Sequence, residues 1–184
     1  MLLLLTLLTP LGGCRSADTA EDTAPPEPVP LVDAEVWSAL PLADDPLPTH
    51  QPAEVSCVEQ SWFPEYTGLE IDTTGCNYLS LTQPLLLEVS AGEPLSLLAW
   101  HQTLISDEDT GLDTAEQGAI YGHMALLIDG IIAWEIEVPI PASAGLYEIT
   151  VDAPADAPRG APVVLHLHNH GYNTWQFAEA TVLR

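Results

Sequence analysis

Residues 124–138 read MALLIDGIIAWEIEV, two apolar segments joined by Asp129-Gly130. An Asp-Gly pair between such segments predicts a β-hairpin, because the tight two-residue turn needs a positive φ at both central residues. The pairing that follows from this turn is Ile128 with Ile131, Leu127 with Ile132, Ala125 with Trp134, and His123 with Ile136. The face predicted to point into the core then carries His123, Ala125, Leu127, Ile132, Trp134 and Ile136, with His123 at its margin.

The chain from Cys57 onward consists of similar short apolar runs separated by turn residues. The runs outside the hairpin cover residues 85–89, 95–101, 146–151, 162–168 and 175–183. None of these windows has a helical period. Several short strands with turns between them predict an all-β fold, an antiparallel β-sandwich of the jelly-roll type.

Composition and charge limit the class of the protein. Of the 184 residues, 47% are hydrophobic, which is enough for one packed domain, predicted over residues 33–184. The chain has 27 acidic residues, 3 arginines and no lysine. Because a formal net charge of −24 repels the phosphate backbone, nucleic-acid binding is excluded.

The amino terminus has the features of an export signal. Residues 2–11 are mostly leucine and reach about half the length that a bilayer-spanning helix needs. The motif Leu11-Gly12-Gly13-Cys14 follows, and it resembles the lipobox of bacterial lipoproteins. The resemblance implies a signal peptide over residues 1–13, cleavage before Cys14, and a diacylglycerol on the Cys14 thiol. The sequence departs from the family pattern in having no Lys or Arg before the leucines.

The residues after the cysteine predict a tether and a location. Residues 14–32 carry the lipidated cysteine and an acidic, proline-rich linker, which stays extended because it cannot bury apolar surface. In enteric lipoproteins an Asp after the cysteine marks retention in the inner membrane, and here that position is Arg15. The resemblance therefore implies a protein of the bacterial cell envelope, held on the outer membrane by its lipid anchor.

Cys57 and Cys76 remain once Cys14 is assigned to the lipid. An even pair of cysteines in an oxidising compartment predicts a disulfide, which stabilises a fold by roughly 3 kcal/mol in the chain-entropy model. The alternative is a pair of metal-binding thiolates, which the absence of a Cys-x-x-Cys motif disfavours.

The segment HLHNH holds three of the six histidines. Side chains alternate along a strand, so His166 and His168 share one face, and His170 follows where the strand ends. With His101 or His123 as a third ligand, these histidines predict a Zn or Cu site. The alternative is a structural role, with the His-Asn-His-Gly segment forming a turn and a buried histidine hydrogen-bonded inside the fold.

An acidic loop reads DEDTGLD at residues 107–113. Carboxylates of Asp107, Asp109, Asp113 and Glu116 could supply oxygen ligands to Ca²⁺, which takes six to eight of them. The loop departs from an EF-hand because glycine falls at the fifth position and no glutamate stands at the twelfth. The alternative is a solvated acidic loop.

Exposed aromatic rings form a third candidate site among the five tryptophans. Jelly-roll binding modules often stack a sugar ring on an exposed Trp or Tyr beside polar side chains. Trp62, Tyr66, Asn173 and Trp175 are predicted to form such a ligand patch. For each ring the alternative is a place in the core.

The sequence contains no Gly-x-Ser-x-Gly, His-Glu-x-x-His or phosphate-binding glycine motif. We therefore expect a membrane-anchored binding module for carbohydrate or protein, and not an enzyme. One alternative is a lipoprotein that binds a divalent metal ion through the histidines or the acidic loop. Another is a hydrolase built from scattered carboxylates.

Overall fold

The computed structural model describes residues 27–66, 68–105, 121–169 and 171–184. The strands are β1 (Pro28–Pro30), β2 (Ser38–Ala39), β3 (Trp62–Glu65), β4 (Gly68–Asp72), β5 (Tyr78–Pro84), β6 (Pro94–His101), β7 (Tyr121–Ile128), β8 (Ile131–Pro139), β9 (Gly145–Asp152), β10 (Pro162–Asn169) and β11 (Thr174–Leu183). Short 3₁₀ helices cover Leu42–Asp44, Pro48–His50 and Glu59–Ser61. Among the described residues, no helix is long and apolar enough to cross a bilayer.

The strands form two antiparallel sheets. Sheet A has the order β3-β4-β11-β6-β9, and β1 also pairs with the end of β11. The predicted domain boundary at residue 33 is therefore too late, because β1 and the buried Leu31 lie in the stretch predicted as linker. Sheet B has the order β2-β5-β10-β7-β8. With β4 to β11 counted from one to eight, the two sheets read 1-8-3-6 and 2-7-4-5, which is the jelly-roll order. The predicted antiparallel β-sandwich of the jelly-roll type is therefore confirmed.

The core lies between the two sheets and follows the period of two along each strand. On β6, Leu95, Leu97 and Ala99 are buried and point inward, where they meet Trp175 and Phe177 of β11. Every second residue of these strands therefore points away from the core, to the outer face of its sheet.

Sheet B is buried on its outer face as well, because residues 40–51 cross it. We call these residues the covering segment. Its Leu40 and Leu47 pack against a second, smaller apolar cluster of Ala125, Leu127 and Val164. This cover explains why β7 and β10 are nearly continuous apolar runs, as strands with two buried faces are.

The hairpin forms around Asp129 and Gly130, which have φ values of 50° and 79°. The predicted pairs of Ile128 with Ile131 and Leu127 with Ile132 are confirmed. Beyond them the prediction is wrong: Trp134 pairs with Leu126 instead of Ala125, and His123 pairs with Glu137 instead of Ile136. The cause is a β-bulge, in which Ala133 is an extra residue of β8.

The bulge also reverses the predicted inner face of β7. Met124, Leu126 and Ile128 belong to the main core, whereas Ala125 and Leu127 lie on the outer face under the covering segment. His123 lies on that outer face too, because it is in register with the alternation of Ala125 and Leu127.

Two further sequence expectations have clear outcomes. Cys57 and Cys76 are joined by a disulfide, as predicted, so the residues before β3 are tied to those after β4. The apolar run 85–89 is not a strand; the strand is β5, which ends at Pro84. The run still fills the core, because Leu85 and Val89 are buried there from an irregular segment.

Candidate functional site

Five side chains cross the outer face of sheet A side by side. Direct cross-strand pairs join Phe63 to Glu70, Glu70 to Gln176, Gln176 to Trp100, and Trp100 to Leu146. Their neighbours along each strand point into the core, so these five point outward. At about 4.8 Å between strands, the row is roughly 19 Å long. We call these five residues the aromatic row.

The centre of the aromatic row is fixed and its ends are exposed. The indole Nε1–H of Trp100 donates a hydrogen bond to Oε1 of the buried Gln176 side chain. At the two ends, Phe63 is 41% exposed and Leu146 is 63% exposed. The row is thus a rigid platform that presents apolar surface to solvent beside polar groups.

Glu70 supplies the titratable group of the aromatic row. Burial raises the pKa of Glu70, and the hydrogen bond and charge of Glu65 raise this pKa further, to about 7. Near neutral pH both protonation states of Glu70 are therefore populated. Its carboxyl group can then donate as well as accept a hydrogen bond.

Three histidines meet on the outer face of sheet B. The covering segment brings His50 over His123 of β7 and His166 of β10, and we call the three the histidine trio. The ring centroids are 4.7 Å apart for His50 and His123, 5.6 Å for His50 and His166, and 5.5 Å for His123 and His166. One possible ligand atom from each ring lies within 4.8 Å of those from the other two.

Asp45 anchors the covering segment beside the histidine trio. Its carboxylate accepts hydrogen bonds from the Tyr78 hydroxyl, from Ser80 Oγ at 3.2 Å and from the Leu47 backbone N–H at 3.0 Å. Burial opposes ionisation of Asp45, but the hydrogen bonds from Tyr78, the Leu47 backbone and Gln51 hold its pKa below the ordinary value. Burial, together with Asp45, raises the pKa of Tyr78.

Ser80 links Asp45 to the histidine trio, since its Oγ is 3.0 Å from Nδ1 of His166. The hydrogen-bonded chain therefore runs from the acid, Asp45, through the serine, Ser80, to the histidine, His166. A hydrolytic triad instead has the histidine between the acid and the serine. The arrangement thus orients the His166 ring and does not activate Ser80 as a nucleophile.

Burial keeps two members of the histidine trio uncharged. It lowers the pKa of His166 to about 3, against the opposing charge of Asp45. Burial also lowers the pKa of His123, although the Glu135 carboxylate 3.2 Å from its Nε2 favours the charged form. Both imidazoles are therefore neutral near pH 7, so His123 and Glu135 form a hydrogen bond and not an ion pair.

His101, one of the predicted metal ligands, lies on the inner side of sheet A. Its ring packs on Trp175 with centroids 4.7 Å apart, and its Nε2 is 2.8 Å from the Tyr147 hydroxyl. The core separates this position from the outer face of sheet B. His101 therefore lies apart from the histidine trio.

His168 shares the outer face with His166, as the alternation predicts. Its ring lies 5.6 Å from that of Tyr78, and it is not part of the group of three possible ligands. His170 lies outside the described residues. Of the histidines named from the sequence, the structure thus brings together His123 and His166.

The residues of the predicted ligand patch lie in different environments. Trp175 is fully buried in the core, and Trp62 is half-buried against it. Asn173 donates a hydrogen bond from Nδ2 to the Thr103 carbonyl. Tyr66 alone of the four is almost fully solvent-exposed, at 93%. Cys14 and the predicted calcium ligands Asp107, Asp109, Asp113 and Glu116 lie outside the described residues.

A cavity of about 570 Å³ lies between residues 28–37 and the β4–β11 side of sheet A. Its lining includes the rings of Trp37, Phe177 and Tyr66 and the acidic residues Asp33 and Glu35. The volume is in the range of small-molecule sites. Tyr66 thus borders this cavity and not the aromatic row.

Sequence reasoning missed His50 and the members of the aromatic row. His50 lies in a proline-rich stretch without periodicity, 73 residues before His123, and nothing in that stretch points to a ligand. The alternation of β6 does place Trp100 outward once the strand is known. Its alignment with Gln176 and Leu146, however, depends on register, which the sequence does not specify.

Neither a protein-family model nor a curated protein matches the chain. Solved structures with a related architecture include a CBM4 structure, at 12% identity and a TM-score of 0.44, covering 82% of this chain and 88% of that one. A family 16 carbohydrate-binding module has 14% identity and a TM-score of 0.36, covering 71% and 85%. An arabinose-bound GH51 α-L-arabinofuranosidase has 11% identity and a TM-score of 0.40, covering 86% of this chain. The chain spans 25% of that enzyme's length.

Proposed function

We propose that the protein is an exported lipoprotein, anchored through Cys14 to the bacterial outer membrane, whose β-sandwich binds neutral carbohydrate on the aromatic row. The observation that carries this proposal is the alignment of an indole, an amide, a carboxyl group and a phenyl ring across adjacent strands of one exposed face.

The chemistry of the aromatic row matches that of a sugar chain. A pyranose ring has an apolar C–H face, which packs on an aromatic ring, and hydroxyl groups at its edge, which exchange hydrogen bonds with amides and carboxyls. Trp100 offers the ring and Glu70 offers the polar group, while the buried Gln176 lies between them and holds the indole in place. Because its hydrogen bond to Gln176 already fixes Trp100, little side-chain entropy is lost on binding.

The negative charge of the protein limits which carbohydrates can bind. A net charge of −24 repels acidic polysaccharides over a distance of several ångströms, so the ligand of the aromatic row is uncharged. The length of the row, roughly 19 Å, suits several consecutive sugar units of a chain.

Anchoring rests on the lipobox-like Leu11-Gly12-Gly13-Cys14 and on the acidic linker that follows it. The disulfide between Cys57 and Cys76 is in keeping with export, because such bonds persist in oxidising compartments. A linker of this composition would hold the domain away from the lipid surface and leave sheet A free to meet a polymer.

Affinity electrophoresis tests carbohydrate binding. Gels containing a neutral glucan, xylan, mannan or galactan should slow the protein in at least one case, and Trp100→Ala should abolish the retardation. Phe63→Ala should weaken it, whereas Tyr66→Ala, an exposed aromatic outside the row, should leave it unchanged. No retardation by any of the four polymers, or equal retardation of Trp100→Ala in its folded form, contradicts the proposal.

Metabolic labelling tests the anchor. In a bacterial host, radioactive palmitate should label the wild-type chain, and the protein should fractionate with outer membranes. Cys14→Ser should lose both properties. Unlabelled wild-type protein, or the same membrane fraction for Cys14→Ser, contradicts the anchor and leaves carbohydrate binding to be judged by itself.

A further inference from the structure

The histidine trio is independent of the aromatic row, since it lies on the outer face of the other sheet. His123 and His166 come from adjacent strands, β7 and β10, and His50 comes from the covering segment. Among the described residues, these three are the group of His, Cys, Asp or Glu side chains close enough to share one ion. His123 and His166 are buried and His50 is half-buried, so the site is protected from bulk water.

The hydrogen bonds of His123 fix which of its nitrogens is free. Its Nε2 is 3.2 Å from a carboxylate oxygen of Glu135, which can only accept, so Nε2 carries the proton. In the neutral ring Nδ1 then has a lone pair. That Nδ1 faces Nδ1 of His50 at 3.2 Å.

The same reasoning fixes His166. Ser80 has one hydroxyl proton, which it donates to Asp45, so Ser80 Oγ accepts from Nδ1–H of His166. In the neutral ring Nε2 therefore has a lone pair. This atom is buried and has no hydrogen-bond partner among the described residues. A buried acceptor left without a donor destabilises a fold, so such atoms are rare in native proteins.

We propose that His50, His123 and His166 bind one divalent transition-metal ion, Zn²⁺ or Cu²⁺. Two imidazole nitrogens that share a tetrahedral ion at 2.0–2.1 Å lie about 3.3 Å apart, and the Nδ1 atoms of His50 and His123 are 3.2 Å apart. The free lone pair of His166 Nε2 supplies the third ligand.

The surroundings of the trio are those of a metal site. Histidine ligands in proteins usually donate their second N–H to a carboxylate or another acceptor, which orients the ring and raises its basicity. Glu135 has this role for His123, and Ser80, held by Asp45, has it for His166. Each of these rings is therefore held with a lone pair available.

The type of ligand decides the class of metal. Neutral imidazole nitrogen suits Zn²⁺ and Cu²⁺, whereas Ca²⁺ and Mg²⁺ need oxygen ligands. The nearest carboxylates, Asp45 and Glu135, are already engaged with Tyr78, Ser80 and His123. Three protein ligands leave a fourth position of a tetrahedral ion to water.

Metal titration of the whole chain tests the site. The protein, without a purification tag and treated with a chelator, is titrated with Zn²⁺ and separately with Cu²⁺ by calorimetry in 5 mM CaCl₂, chosen at roughly the level that saturates weak carboxylate sites. We expect one ion per chain and a Kd below about 1 µM. Co²⁺ should give the intense visible absorption of a tetrahedral site.

The variants separate the trio from other ligands. His50 is half-buried on the covering segment. His50→Gln should weaken metal binding at least 100-fold, and circular dichroism should show that the variant is folded. His123→Gln should do the same. His168→Gln, on the same face but outside the trio, should change the Kd less than threefold.

Three results would overturn the metal site. They are the absence of binding at 100 µM metal, loss of all binding in the presence of CaCl₂, and equal affinity of folded His50→Gln and wild type. None of them bears on the aromatic row, and loss of carbohydrate binding in Trp100→Ala has no bearing on the trio. Electron paramagnetic resonance of the Cu²⁺ form distinguishes nitrogen from oxygen ligation.

Discussion

The outer faces of sheets A and B follow the same alternation of side chains, but within the described parts of the chain only sheet B is covered by another segment. On sheet A, residues such as Leu146 and Phe63 meet solvent, and the face is a platform of apolar and polar groups. On sheet B, the covering segment buries Leu127 and encloses three histidines. One sandwich thus has an open face of apolar and polar groups and, on the other sheet, an enclosed cluster of histidines.

The largest expected effect is the difference in stability between a covered and an open leucine. Leu127→Ala should lower the free energy of unfolding by about 3 kcal/mol, because it empties a packed position under the covering segment. Leu146→Ala, at 63% exposure on sheet A, should change it by less than about 0.5 kcal/mol. Urea unfolding of both variants measures the difference, and equal losses would show that the cover is not a packed layer.

A second comparison separates the hydrogen bonds of the cover from its apolar contacts. Asp45→Ala should destabilise the protein by about 2 kcal/mol, because it removes the acceptor of the buried Ser80 hydroxyl and leaves the Tyr78 hydroxyl only the Leu47 carbonyl. Asp44→Ala is the matched control, since Asp44 is exposed and adjacent. Thermal unfolding of both variants is the measurement, and an Asp45→Ala melting temperature equal to that of Asp44→Ala would contradict the role of this carboxylate.

Lowering the pH should reduce the free energy of unfolding through His166, which lies on the outer face of sheet B. The pKa of His166 is about 3 in the fold against 6.5 for a free histidine, so the unfolded chain binds more protons between these values. The stabilisation is complete above pH 6.5 and declines as pH falls. Between pH 7.5 and 5.5 the His166 contribution should fall by about 1.4 kcal/mol.

Chelator-treated protein should show this loss in urea unfolding at the two pH values. His166→Phe, which cannot be protonated, should show a smaller dependence on pH. If the free energy of unfolding of the two proteins falls equally from pH 7.5 to 5.5, then His166 is not the group responsible.

The smallest expected effect is a change in the pKa of Glu70, on the outer face of sheet A. Glu65→Gln removes the charge and the carboxylate next to Glu70, so the pKa of Glu70 should fall from about 7 towards its ordinary value of 4.5. Carbon-13 NMR of the carboxyl groups measures this pKa. Glu148→Gln, on exposed β9 of the same sheet, should leave it unchanged. A Glu70 pKa that stays near 7 in Glu65→Gln would assign the shift to burial and the charge of Asp72.

The fold can be predicted from the sequence because turns and the alternation of side chains depend on residues that are close together in the chain. Asp129-Gly130 determines the hairpin, and the short apolar runs exclude long helices. The bulge at Ala133 was not accessible, because an extra residue in one strand satisfies the same local pattern as a regular pair. A prediction that omits the bulge assigns β7 the wrong inner face, and it therefore places His123 at the margin of the core.

The candidate sites were less accessible than the fold. Strand alternation was enough to put His166 and His168 on one face. It could not supply His50, whose position depends on how residues 40–51 cross a sheet formed by strands far along the chain. The aromatic row likewise depends on register across five strands, and register is a property of the assembled sheet.

The pairing of β1 with the end of β11 determines how the domain carries mechanical load. A pull on the residues before Glu27 enters at β1, whose first residue lies opposite Leu183. Pro28 and Pro30 have no N–H to contribute, but hydrogen bonds flank β1 on both sides: Glu27 and Arg184 exchange two, and the Leu31 N–H donates to the Ala180 carbonyl. Because Leu31 is also buried in the core, a load applied at this end reaches the core directly behind β1.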